Sequence, residues 1–199
     1  MKIFNLILFI TAGFFGHPTL NKKIETLSDA ETLRFNTQVA EVKALINSGG
    51  TYNTKIAFLI DMRIKSGKNR FFVYDIANNT ILEQGLVANG SGSETGVRGD
   101  LKFSNEPNSN CTSLGSYSIG KSYKGSFGKS YKLFGLEASN SNALKRAIVL
   151  HSYSAVPEEE QDHYIALSHG CPMVNEIFFK KLEKIIDGSK SNIVLNIYY

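Results

Sequence analysis

The chain has no tryptophan, and only two of its 199 residues are cysteine, Cys111 and Cys171. Without tryptophan, any aromatic surface for a ligand must be built from tyrosine or phenylalanine, with Tyr117, Tyr123 and Tyr153 as candidates. Two cysteines leave room for one disulfide, yet a Cys111–Cys171 bridge would consume any nucleophilic thiol. The basic residues are scattered rather than clustered and the net charge is +4, which argues against nucleic acid as a partner. There is no Cys-x-x-Cys and no His-Glu-x-x-His, and the four conceivable ligands His151, His163, His169 and Cys171 fit no standard zinc spacing, so no metal is expected. The run Asn89-Gly90-Ser91-Gly92-Ser93 lacks the third glycine and the lysine of phosphate-binding loops, so no nucleotide cofactor is expected either. Gly-x-Ser-x-Gly and kinase signatures are missing, as are internal repeats and low-complexity segments.

The one long apolar run is at the start. Met1-Lys2 gives a short positive region, and residues 3–15 are apolar except for Asn5, Thr11 and Gly13. That is short of the roughly 20 residues a membrane-spanning helix needs. With small residues at Ala12, Gly13 and Gly16, it reads as a signal peptide over 1–16, hence an exported protein of the periplasm or cell envelope. An uncleaved anchor is the alternative and the only membrane contact expected. No cysteine precedes Cys111, which excludes a lipoprotein signal.

The rest reads as one globular domain, with 42% apolar and 20% charged residues. Residues 17–50 form a linker and an N-terminal helix, and 51–199 the main domain. Ser28 and Glu31 make a capping-box pattern, and Phe35, Val39, Val42 and Ile46 share one helical face that Gly49-Gly50 ends. Strands are expected at 56–61, 71–76, 81–88, 116–119, 131–136, 147–151 and 193–199, with a loop-rich stretch over 89–130. Asn175 can cap a helix carrying Phe178, Leu182 and Ile185, closed by Gly188. The expected fold class is mainly β with peripheral helices (α+β).

The chemistry is concentrated late in the chain, in Leu150-His151-Ser152-Tyr153 and Ser168-His169-Gly170-Cys171-Pro172. A histidine near a cysteine is the minimum machinery for thiolate catalysis, because imidazole takes the thiol proton as sulfur attacks an acyl carbon. A free cysteine is otherwise a small apolar residue. Here Gly170 permits a tight turn and Pro172 fixes the chain beyond the sulfur. A helix opening at Asn175 would place Cys171 near a helix N-terminus and lower its pKa. His151 ends a buried strand, and a neighbouring strand at 164–167 would return the chain beside it. The group orienting His151 is either the Ser152 hydroxyl or a nearby backbone carbonyl. Ser168, His169 and Gly170 form the loop before the cysteine. His169 faces substrate or solvent, and the amides of 169–171 can serve an oxyanion. His163, among Glu158, Glu159, Glu160, Gln161 and Asp162, reads as solvated loop.

With these residues, the sequence resembles the L,D-transpeptidase (YkuD-type) catalytic domain, which carries a histidine followed by Ser/Thr-x-Gly-Cys. It is most similar to the branch of murein L,D-transpeptidase catalytic domain proteins, which has Gly-Cys-Pro at the cysteine. Phe103-Ser104-Asn105, Ser113-Leu114-Gly115-Ser116-Tyr117, Tyr123-Lys124-Gly125, Leu133-Phe134-Gly135-Leu136 and Arg146-Ala147-Ile148-Val149 also look like that branch, and the resemblance covers 56–199. It implies a β-sandwich catalytic domain in which Cys171 attacks a peptidoglycan tetrapeptide stem, His151 shuttles the proton and a second stem takes the acyl group. A monomer without cofactor is expected. Alternatives are a hydrolase at the same bond, or a catalytically degenerate wall-binding module. A sortase-like enzyme needs a later arginine, and none follows Arg146. Three positions depart from the family pattern. Met173 replaces an arginine or asparagine thought to support the cysteine loop, with Arg146 or Arg98 as substitutes. Asn89 stands where the branch has histidine, and Ser152 follows the catalytic histidine in place of glycine.

Overall fold

The computed structural model describes residues 27–199; the expected signal peptide and the linker up to residue 26 lie outside the described residues. Helix α1 (Asp29–Asn47) opens with the capping box: the Glu31 amide donates to Ser28 Oγ, and the Glu31 carboxylate accepts from the Ser28 amide. Its buried residues Phe35, Val39, Val42 and Ile46 are those the periodicity selects. They pack on Ala57, Leu59, Phe72, Tyr74, Val194 and Tyr198, so α1 covers one outer face of the sheet. Each such buried side chain contributes on the order of 1.5–3 kcal/mol.

Eight strands form one mixed sheet: β1 (Tyr52–Asp61), β2 (Phe71–Asp75), β3 (Thr80–Gly85), β4 (Gly115–Gly125), β5 (Gly128–Gly135), β6 (Val149–Ser152), β7 (Met173–Val174) and β8 (Asn192–Tyr198). Their order is β3-β2-β1-β8-β4-β5-β6-β7, with β1–β8 and β6–β7 parallel and the other pairs antiparallel. The last strand therefore sits in the middle, between β1 and β4. Its sequence suits the place: Ile193, Leu195 and Ile197 enter the main core, while Val194 and Tyr198 meet the α1 layer.

Helix α2 (Glu176–Asp187), capped by Asn175 through the Phe178 amide, lies on the opposite face from α1. Phe178, Phe179 and Leu182 share one cluster with Phe58 and Phe71 from one half of the sheet and Tyr131, Leu133 and Leu150 from the other. The sheet thus curls about a single core, with two peripheral helices. Gly85 makes room for α2: a Cβ there would come within 2.5 Å of the Phe178 ring.

Two expectations are corrected. The strand expected at 116–119 within the loop-rich stretch 89–130 is longer: β4 runs from Gly115 to Gly125 and pairs with β5 to the hairpin end. At that outer end the strand residues 121–124 are exposed, so the alternation that marks a half-buried strand is missing. Residues 164–167 form no strand. Ile165 is buried with Leu86, Ala88, Val156 and Met173, while Tyr164 and Leu167 are exposed, so the segment is a covering loop. The strand beside β6 is β7 instead.

Candidate active site

The site is built along one edge of β6. Alternate amides of this strand and of the residue after it face the segment 171–174: Tyr153 N–H donates to Val174 O at 2.9 Å, His151 N–H to Pro172 O at 3.5 Å, and Val149 N–H to Cys171 Sγ at 3.4 Å. The cysteine sulfur thus takes the place in the parallel ladder where the next backbone carbonyl would stand. In return the thiol donates to Ala147 O at 3.7 Å. Two residues of strand, roughly 7 Å of rise, separate the amide that holds the sulfur from His151.

His151 is buried. Its Nδ1 lies 2.9 Å from the Ser152 carbonyl oxygen. A carbonyl can only accept, so Nδ1 carries the proton and Nε2 presents a lone pair. Of the two orienting groups expected, the carbonyl holds the ring. Burial pushes the imidazole below its ordinary value, opposed by the Ser152 carbonyl. No hydrogen bond joins His151 to Cys171 among the described residues.

Cys171 is half-buried and free, as is the buried Cys111. Burial pushes the Cys171 thiol up, while the Val149 amide and the Arg146 charge pull it down. The lowering expected from the α2 N-terminus does not occur: the helix begins at Glu176, and the thiol turns back toward β6. Burial thus favours the neutral form of both the thiol and the imidazole.

The loop before the cysteine is fastened from two sides. Ser168 N–H donates to Asn89 O and Ser91 N–H to Ser168 O, at 2.9 and 2.7 Å. Gly170 has φ +111, and a Cβ there would meet the Cys111 carbonyl at 2.7 Å, so the position requires glycine. Gly170 N–H is spent on Ser168 Oγ at 3.0 Å. Of the three loop amides expected as oxyanion donors, those of His169 and Cys171 therefore stay without a partner among the described residues. The His169 side chain is exposed.

The departures from the family pattern acquire physical reasons. Met173 is buried in the small cluster with Leu86, Ala88, Val156 and Ile165, where a guanidinium would find no partner. Asn89 is buried and takes a hydrogen bond from the fully buried Arg70 at 2.8 Å, while its Nδ2 donates to Glu94 at 2.9 Å. Arg98 lines a separate small cavity with Lys65, Lys68 and His163, whereas Arg146 lies against Gly170. Tyr117 is no ligand platform, because it is fully buried with its hydroxyl on Ser113. Tyr123 and Tyr153 are exposed. No cluster of three or more metal-ligating side chains exists among the described residues. A groove of about 770 Å³ between α1 and the β2–β3 hairpin contains no cysteine or histidine.

Phe127 escaped the sequence reading. It sits in the two-residue turn of the β4–β5 hairpin and stacks on the His151 ring, centroids 4.3 Å apart, while remaining 54% exposed. The signal was an aromatic between Ser126 and Gly128, where a hairpin turn favours small polar residues.

Residues 27–198 match the sequence model of the L,D-transpeptidase catalytic domain. The chain belongs to that family. Among solved structures, it is similar to an L,D-transpeptidase (residues 123–326) from Xylanimonas cellulosilytica, with 12% identity and a TM-score of 0.43 over 79% of this chain and 69% of that one. It is also similar to Bd1075 from Bdellovibrio bacteriovorus, with 15% identity and a TM-score of 0.47 over 73% of this chain and 48% of that one. For an L,D-transpeptidase from Mycobacterium tuberculosis the values are 13% and 0.39, over 73% and 58%. The chain thus spans about half to two thirds of the length of these proteins. No curated protein matches the sequence.

Proposed function

We propose that this chain is an exported L,D-transpeptidase that cross-links peptidoglycan stems through a thioester on Cys171. The observation that carries the reading is the shared β6 edge, with the sulfur on Val149 N–H and, two residues on, an imidazole whose Nε2 is free to take a proton. As Cys171 Sγ attacks the carbonyl carbon of the L,D bond in a tetrapeptide stem, its proton passes to His151 Nε2. The carbonyl oxygen becomes an oxyanion facing the Cys171 amide. The carbon–nitrogen bond breaks, and the departing D-alanine nitrogen takes the proton from the imidazolium. An amine of a second stem then attacks the thioester, gives a proton to His151, and releases the sulfur, which recovers it. Water as acceptor would make the same site an L,D-carboxypeptidase. Ser152 serves through its carbonyl, which fixes the imidazole tautomer.

Two neutral partners in a half-buried site suit proton transfer concerted with attack, rather than a standing ion pair. The substrate class rests on family membership, and export on the apolar stretch 3–15. Mass spectrometry of products from a diaminopimelate-containing tetrapeptide muropeptide tests the reading. A dimer with loss of D-alanine, absent with Cys171→Ala, is expected; tripeptide alone would show the hydrolase, and a Cys171→Ala variant that still turns over would overturn the assignment.

A further inference from the structure

Behind the cysteine loop lies a cation with no carboxylate on it. Arg146 Nη1 donates to Ser104 O at 2.9 Å and Ser113 Oγ at 3.2 Å, and Nη2 to Ser109 Oγ at 3.4 Å and to the Cys111 carbonyl. All four acceptors are neutral oxygens of one loop, 104–113. The same Cys111 carbonyl and the same Nη2 are the two nearest atoms to a Cβ built on Gly170, at 2.7 and 3.0 Å. Arg146 therefore clamps the 104–113 loop directly beneath the turn that presents Cys171.

The residue after it is strained. Ala147 has φ +54, in the left-handed region that β-carbon-bearing residues avoid, and its carbonyl is the one that accepts from the thiol. The corner is held by Ala147 N–H on Leu144 O and Ile148 N–H on Ala143 O. One side of this corner holds the sulfur, and the other carries the guanidinium.

The geometry points to Arg146 as a positioning residue for Cys171: its fork fixes the loop under Gly170, and its charge, compensated by no ion pair, favours the thiolate that forms during attack. The inference rests on Cys171 being the nucleophile. The other titratable groups packed around this loop are His151 on β6, His169 within it, Cys111 beneath it and Glu94, which Asn89 engages from the 89–94 side. None of the described acidic residues forms a salt bridge with Arg146. The guanidinium lies against Gly170, the residue before the half-buried thiol, and a charge in such surroundings is less screened than one in open solvent.

The test is the alkylation rate of Cys171 by iodoacetamide against pH in the full chain, located by peptide mass spectrometry, for wild type, Arg146→Met and Arg146→Lys. This readout needs no turnover, so it stands apart from the peptidoglycan assay. Arg146→Met is expected to raise the thiol midpoint by half a pH unit or more, lowering the rate at fixed pH about threefold or more. Arg146→Lys, which keeps the charge but not the fork, is expected to hold the midpoint while kcat falls. An Arg146→Met protein that folds with an unmoved midpoint would overturn the inference. Should that variant not fold, an Arg146→Lys midpoint raised by half a unit or more would overturn it, and an unmoved one would support it.

Discussion

The ring of Phe127 lies 4.3 Å from that of His151, tilted by only 22°, and Tyr153 closes on Phe127 edge-first at 6.3 Å. A half-exposed aromatic on a hairpin turn thus shields a buried imidazole from water. Burial is the main cause of the lowered His151 pKa, so the cover and the imidazole are linked. Phe127→Ala should raise the His151 pKa toward its ordinary value of 6.5. The acidic limb of kcat/KM should move up with it. An NMR titration of the imidazole protons checks the first effect, and a pH–rate profile the second.

The neutral thiol and neutral imidazole make a distinct prediction for wild type. Alkylation of Cys171 should climb through the alkaline range, since burial pushes the thiol above its ordinary value. A thiolate–imidazolium pair would instead give a reactive plateau at mildly acidic pH. Stability follows from the same histidine. The unfolded chain binds a proton near pH 6.5, and the folded one binds it only at lower pH. Between those values the unfolded state holds more protons, so stability should fall as pH drops below 6.5. Urea unfolding at pH 7.5 and 5.5 measures this, and His151→Gln should flatten that part of the difference.

What was legible in the sequence follows the strength of each physical signal. Helix α1 was plain because Ser28, Glu31 and four buried residues at helical spacing all agree. The β1, β2 and β8 strands were plain because they are buried runs. The outer half of the β4–β5 hairpin was not, because residues held by backbone pairing alone leave no apolar pattern. The Cys–His pair was marked by Gly170 and Pro172. The sulfur's seat on the Val149 amide, the Ala147 corner and the Phe127 cover depend on contacts between segments about 20 residues apart, which spacing does not encode.

Gly170 allows a sharp test of the loop. An alanine there must adopt φ +111 and press its Cβ on the Cys111 carbonyl at 2.7 Å. The strain is on the order of 1–3 kcal/mol, felt where the sulfur is presented. Gly170→Ala should lower the thermal midpoint modestly and cut kcat much more strongly. Parallel calorimetry and single-turnover acylation separate the two effects.

Asn89 ties the buried charge of the fold to the cysteine loop. Arg70 is fully buried, its guanidinium pushed down to about 10 by burial, and it is held by Val87 O, Ile64 O and Asn89 Oδ1. The Asn89 backbone carbonyl accepts from Ser168, two residues before Gly170. Removing the side chain deprives Arg70 of one acceptor and Glu94 of its donor, at a cost of about 1–3 kcal/mol for a buried polar group left unpaired. The backbone bond to Ser168 survives only if the 89–91 segment holds its place. Asn89→Ala should therefore destabilise the fold and lower kcat while leaving the pH of Cys171 alkylation unchanged, because no charge near the sulfur is altered. Asn89→Asp offers the opposite arm. It keeps the acceptor for Arg70 and adds a carboxylate that the guanidinium attracts and Glu94 repels, so its stability should change with pH through the carboxylate range more than that of Asn89→Ala. Thermal unfolding of both variants across pH 4–8 measures the balance: a rise with pH shows pairing with Arg70 winning, a fall shows repulsion by Glu94.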